Sequence, residues 1–254
     1  FSGDQQIGLK NNIEKNEEEV IENALKSLSF CDEIVVIDNE STDKTGEIAR
    51  KYKAVVFKKK SSNFSVLRDF GRENSKGDYI LYVDADEVVT DALRKSILFE
   101  IKSNSSIAAY KIKRKNFYLG QNEWPRVEEI LRFFKKENLV GWKGEIHESP
   151  VVDGDIGKLD GFLLHYTHRN LNQMLTKTIE WSDVESKIRI EAKHPKMTWW
   201  RFPRVMITAF LNSYIKQKGY KLGTAGLIES VYQSFSTFIT YAKLWELQNK
   251  SSHP

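Results

Sequence analysis

The chain has 254 residues, 40% of them hydrophobic and 29% charged, with a mean hydropathy of −0.50. These are ordinary values for a soluble globular protein with a real core, arranged as one large domain or a medium and a small one. Its single cysteine, Cys31, rules out an internal disulfide framework and a cysteine-based zinc site, and fits a reducing compartment.

No run reaches the ~18 consecutive apolar residues of a membrane-spanning helix. Residues 1–6 have neither the basic start nor the apolar stretch of a secretory signal, so a cytoplasmic location is expected. The net charge is +4, but residues 185–254 hold eleven Lys/Arg against four acids, a local +7. A basic tail on a slightly acidic body points to an anionic partner.

In chain order, residues 6–13 read as a weak strand. Asn16 is expected to cap a helix whose apolar face is Val20, Ile21, Ala24, Leu25 and Leu28. A buried strand over residues 33–37 delivers Asp38, and the turn at 39–43 leads into a helix over 44–52. A strand at 54–57, a helix at 66–74, a strand at 78–83 and a helix at 91–102 follow. This alternation predicts a parallel sheet covered by helices, with ligands bound beyond the carboxyl ends of the strands. Asp38 and the pair Asp84/Asp86 lie at such ends.

If the strand stays regular, Asp84 and Asp86 share a face. Two carboxylates there suit a hard cation, Mg²⁺ or Mn²⁺, which commonly takes one or two carboxylates plus substrate phosphates. A solvated acidic turn is the plainer alternative. Beyond residue 105, strands are expected at 107–113, 130–136 and 162–166. The glycine-rich segment 141–161 reads as loop, and from residue 170 helices are expected at 170–192, 199–218 and 224–249. The His147-Glu148 pair does not make a zinc-protease motif, because position 151 is valine.

Lys15-Asn16-Glu17-Glu18, the run Asp38 to Asp43, Arg68 in Leu67-Arg68-Asp69-Phe70, and Asp84-Ala85-Asp86-Glu87 together resemble family 2 glycosyltransferases. Gly144-Glu145-Ile146-His147-Glu148, His165-Tyr166-Thr167-His168 and the tail from Tyr214 to Glu246 are similar to the subgroup containing lipopolysaccharide-core β-glucosyltransferases. The resemblance covers nearly the whole chain. It implies an α/β GT-A fold, Rossmann-like with a mostly parallel sheet, in a domain over residues 1–168. An α-helical appendage over 169–254 would contact acceptor or membrane surface.

The resemblance also implies an activity: a metal-dependent inverting transfer of a hexose from a UDP-sugar to a glycan or lipid-linked acceptor. Asp38 would accept from the base's imide N–H, or else cap the turn. Arg68 would pair with the diphosphate or with Asp84. Asp84 would face the ribose, and Asp86 would hold Mn²⁺ or Mg²⁺, with His165 as a further ligand or a core histidine. The general base would be Glu148, with Glu145 in reserve, or both would serve as structural ion pairs. His168 and Arg169 could meet phosphate. The tail's aromatic and basic residues would lie on an anionic membrane at the cytoplasmic face, or pack on the catalytic domain. Nucleic acid is not expected. The rival readings are a silent nucleotide- or glycan-binding protein and a sugar-nucleotide pyrophosphorylase. The latter would need a glycine-rich basic loop after the first strand, where this chain is acidic and glycine-free.

Overall fold

A computed structural model of the chain describes residues 7–10 as backbone, then 16–144 and 148–250. The chain forms two compact units. One comprises residues up to Lys115 and from Glu128 to His165; the other comprises Asn116–Val127 and the residues from Tyr166.

The first unit opens with the alternation of strand and helix that the sequence predicts. Its elements are β1 (Ile7–Lys10), α1 (Ile21–Ser27), β2 (Glu33–Asp38), α2 (Thr45–Lys51), β3 (Val55–Lys58), α3 (Phe64–Asn74) and β4 (Tyr79–Tyr82). After them come β5 (Glu87–Val89), α4 (Asp91–Ser103), β6 (Ala109–Tyr118), the short β7 (Asn122–Glu123) of the second unit, and β8 (Glu128–Lys135). The last strands are β9 (Leu139–Lys143), β10 (Ser149–Val152) and β11 (Ile156–Tyr166). The main sheet runs β3-β2-β1-β4-β8-β6-β11-β5. Its first four strands are parallel, and β8 then runs antiparallel to both β4 and β6. Helical crossovers make the parallel part, whereas β6 and β8, close in sequence, pair antiparallel.

Side-chain alternation explains why the sheet is covered on both faces. Tyr79, Leu81 and Val83 pack with Leu93, Ile97 and Ile101 of α4, while Ile80 and Tyr82 pack on the opposite face with Leu139 and Trp142 of β9. Val36 meets Ile21, Leu25 and Ala49 of α1 and α2, whereas Val35 and Ile37 meet Leu67 of α3. Cys31 packs against the α4 side of this core. Burial, and after it the neighbouring Asp32, push its thiol well above its ordinary pKa.

Two expectations are corrected. Asn16 does not cap α1, which begins at Ile21 without a side-chain cap. Asn16 has φ 65° and instead accepts from the Thr42 N–H at 2.9 Å, tying the start of the chain to the turn after β2. Segment 141–161 is not mainly loop, because β9 and β10 pair as an antiparallel hairpin and β11 begins at Ile156. Its glycines serve close contacts: Gly141 lies where a Cβ would come 3.3 Å from Asp69.

Gly161 fixes β11 against α4. Its φ is +95°, and an added Cβ would stand 2.2 Å from the Leu93 backbone nitrogen. Beside it, Thr90 Oγ1 donates to the Phe162 carbonyl at 2.9 Å and accepts from the Phe162 N–H at 3.0 Å. Gly161→Ala should lower unfolding free energy by about 2–4 kcal/mol through strain and clash. A urea melt unchanged by the substitution would show that β11 can withdraw from α4 at no cost.

The second unit is helical: α5 (Leu171–Glu191), α6 (Arg201–Leu211) and α7 (Gly223–Lys250). Met174, Thr178, Ser182 and Ser186 recur every fourth residue and form the buried face of α5. Tyr232 of α7 donates to the Met174 carbonyl at 2.8 Å and bonds the Thr178 hydroxyl. The helix expected over 199–218 departs from α geometry at residues 212–216, where the Gln217 N–H reaches the Asn212 carbonyl at 2.9 Å. Gln217 Oε1 then accepts from the Trp124 indole at 3.1 Å. No helix among the described residues is long and apolar enough to cross a membrane.

Candidate active site

β4 ends at Tyr82, and Asp84-Ala85-Asp86 forms a turn closed by the Glu87 N–H on the Asp84 carbonyl at 2.9 Å. The strand therefore does not continue regularly, and the two aspartates take different partners. Asp84 lies between two buried arginines: Arg68 Nη2 stands 3.3 Å from one carboxylate oxygen and Arg132 Nη2 3.0 Å from the other. Asp86, 2% exposed, has Oδ2 at 3.3 Å from His165 Nε2.

Arg68 is presented by α3, whose N-cap Asn63 accepts from the Val66 N–H. Besides Asp84, it bonds Glu148 Oε1 through Nε at 2.7 Å. Its guanidinium lies 4.9 Å from the Trp142 ring and 5.6 Å from the Tyr82 ring, two rings that touch each other edge to face, so the flat cation rests against an aromatic pair. Arg68 thus joins Asp84 to Glu148, whereas sequence reasoning also offered the diphosphate as its partner. Its Nη1 has no hydrogen-bond partner among the described residues.

A second layer holds the turn itself. Glu87, fully buried, accepts from the Asp84 N–H at 2.9 Å and pairs with Arg114 at 3.0 Å. Arg114 in turn grips Glu128 at 2.7 Å, its register partner across β6 and β8. None of Arg114, Arg132 and Glu128 stands out from the sequence as a site residue, and Glu87 reads there as the start of a turn. The available signal was an arginine in each of two otherwise alternating strands, at Lys-Arg114-Lys and Leu-Arg132-Phe.

Burial alone would push the Asp84 carboxyl up. Arg132, then Arg68, Arg114 and His165, outweigh it and hold the group well below the usual carboxylate range. Burial likewise pulls the Arg114 guanidinium down, but Glu87 and Glu128 raise it above its ordinary value. Arg132 is lowered, first by burial and next by its like-charged neighbour Arg68. A carboxylate with a depressed folded pKa stabilises the protein above its unfolded pKa, and that contribution disappears as pH falls through the folded value. The stability gap between wild type and Asp84→Asn should therefore be widest near neutrality and narrow below about pH 4. Urea midpoints across that range measure it; a gap independent of pH would mean that another group carries the acid sensitivity.

Asp38, 3% exposed, ends β2, two strands from β4 in the sheet order. Its Oδ1 accepts from the Ser41 N–H at 2.8 Å, so one oxygen closes the turn. Asp43 accepts from the Thr45 N–H at 3.0 Å at the start of α2, whose cap residue Lys44 makes no side-chain cap bond. Glu145 lies outside the described residues. Among the described residues, no group of three or more His, Cys, Asp or Glu could by itself hold a metal ion. His168, in the second unit, bonds the buried Glu229 at 3.0 Å and stacks on Tyr118.

The profile of "Glycosyl transferase family 2" matches residues 14–150 of this chain. An uncharacterized glycosyltransferase of Rickettsia typhi is 29% identical, over 94% of this chain and 87% of its own. The "Lipopolysaccharide core biosynthesis glycosyltransferase LpsC" of Rhizobium meliloti is 24% identical, over 94% and 92%. Among solved structures, TarS of S. aureus, residues 1–349 in complex with UDP-GlcNAc, superposes with a TM-score of 0.51 at 15% identity, covering 97% of this chain and 92% of that one. The fold is the expected α/β GT-A fold with a helical C-terminal part, though its sheet is mixed, parallel only in its first four strands, where a mostly parallel one is expected. On a match of more than half its length, whose span includes Asp38, Arg68 and the Asp84–Asp86 turn, the chain belongs to glycosyl transferase family 2.

Proposed function

We propose that this glycosyltransferase moves a hexose from a UDP-sugar to a hydroxyl of a glycan or lipid-linked acceptor, with inversion and with Mn²⁺ or Mg²⁺. The observation that carries the reading is the meeting of Asp86 with His165, residues far apart in sequence whose carboxylate and imidazole stand 3.3 Å apart at the end of β4. A carboxylate and an imidazole make an incomplete ligand set, which fits a cation that completes its shell with substrate oxygens and water. Asp86 and His165 would hold that ion, which when bound supplies positive charge beside the departing diphosphate.

The remaining roles belong to the chain's own side chains. Asp38 keeps Oδ2 for the base's imide N–H while Oδ1 closes its turn. Asp84, fixed by two arginines, faces the ribose. Glu148 is held through Oε1 by Arg68, and among the described residues its Oε2 is uncommitted. That oxygen takes the acceptor's proton as the acceptor oxygen bonds the anomeric carbon and the carbon–diphosphate bond breaks, with UDP leaving. The relative named for lipopolysaccharide core biosynthesis supports a cell-surface glycan or its lipid-linked precursor as acceptor.

A screen of UDP-sugars for Mn²⁺-dependent UDP release tests the reading. Release with one donor, abolished by chelation, is expected; a protein that binds UDP but releases none from any donor would be a silent binder. Glu148→Gln should lower turnover about 10²–10⁴-fold, as loss of a general base does, with donor affinity much less changed. Undiminished turnover in that variant would reassign the base.

A further inference from the structure

We propose that α6 and the turn following it form a docking surface for an anionic phospholipid membrane. The proposal names the surface that an enzyme of lipid-linked acceptors would use, and rests on that reading only for its cellular setting.

The outward face of α6 is apolar where water would be expected. Ile207, Leu211 and Ile215 are 57%, 49% and 54% exposed, and they recur every fourth residue in line with Trp200. Trp199, just before the helix, is 83% exposed. A surface helix normally turns its apolar stripe inward. Here the opposite face packs on α7, where the Phe202 ring meets Phe238, and a second apolar stripe is left in solvent. An exposed stripe of this kind marks an interaction site.

Charge selects the partner. From residue 192 to 228 there is no Asp or Glu, while Lys193, Lys196, Arg201, Arg204, Lys216, Lys218 and Lys221 all fall in that stretch. Elsewhere in the unit, three cations are neutralised internally: Lys243 pairs with Asp183, Arg189 with Glu185 and Lys250 with Glu246. Arg201 and Arg204 also line a cavity of about 410 Å³ with His194 and Tyr241. Cations beside an apolar stripe, with tryptophans at its end, are what a helix lying in the headgroup layer of an acidic bilayer requires. A second copy of the chain would bring the same cations face to face, and like charges oppose that pairing.

Co-sedimentation of the full chain with vesicles tests the proposal, comparing phosphatidylcholine alone with phosphatidylcholine containing about 30% phosphatidylglycerol, because basic residues respond to anionic lipid. Binding to the acidic vesicles only, weakened by salt, is expected. Arg201→Gln with Arg204→Gln should weaken it about 25-fold, roughly fivefold per charge. Ile207→Ser with Leu211→Ser should weaken it at least about tenfold, through lost apolar insertion. UDP release from soluble donor should be unchanged in both double variants. Wild-type protein left in the supernatant would overturn the proposal, as would equal binding to neutral vesicles. A dimer in sedimentation equilibrium that Ile207→Ser with Leu211→Ser dissolves would assign the stripe to a second copy instead. Vesicle binding by a chain that releases no UDP would leave the surface standing and remove only the transferase reading.

Discussion

Asp86→Ala is expected to lower sugar transfer about a thousandfold, the several kcal/mol that a metal's charge stabilisation supplies, while the protein remains folded. The carboxylate is buried and stands against His165, so its removal deletes one of the two groups proposed to hold the ion and leaves an imidazole that can bond water. His165→Ala should act in the same direction but less strongly, since a carboxylate contributes charge as well as a bond. Manganese electron paramagnetic resonance gives a readout independent of turnover. Free Mn²⁺ signal should be quenched by wild type with UDP present, and be quenched little by Asp86→Ala. Full Mn²⁺-dependent turnover in Asp86→Ala would sink the assignment, and so would undiminished Mn²⁺ uptake.

Arg68→Met should be the most destabilising single change in the site. The guanidinium is buried, and its loss strands two carboxylates: Glu148 keeps no described cation, and Asp84 keeps only Arg132. Removing one partner from a buried ion pair typically costs about 3–5 kcal/mol, because the other charge is left poorly solvated. The melt at pH 7 should therefore shift by that amount, and Glu148→Gln introduced beside Arg68→Met should recover part of it by removing one stranded charge. A loss below about 1 kcal/mol would mean that the site opens to solvent and that Arg68 is not a structural keystone. In samples kept cold enough to stay folded, sugar transfer should also fall, since Glu148 loses the bond that aims it.

Much of the first hundred residues can be read directly because its helices are amphipathic and its central strands are short apolar runs bounded by turn residues. Val35, Ile37 and Leu81 announce strands, and the turn residues between them announce the crossings. Asp38, Asp84 and Asp86 drew attention for the same reason, being polar residues at the ends of apolar runs. Arg132 and Arg114 did not. Their meaning comes from register: β8 lies against β4 and β6, which brings arginines of separate strands to one turn. No local pattern encodes that pairing. The hairpin that carries Glu148 was hidden by its glycines, which read as loop although Gly141 serves to let β9 approach Asp69. Asn16 misled in the other direction: a good capping residue was recruited by a distant turn, and α1 began without it.

Cys31 has a practical consequence. It is the sole sulfhydryl in the chain, it packs against the core, and its proton is held tightly. Alkylating reagents attack the deprotonated form, so this half-buried thiol should react with maleimides more slowly than an exposed one. A cysteine introduced at the exposed Trp199 position should then take up a fluorophore or spin label ahead of Cys31.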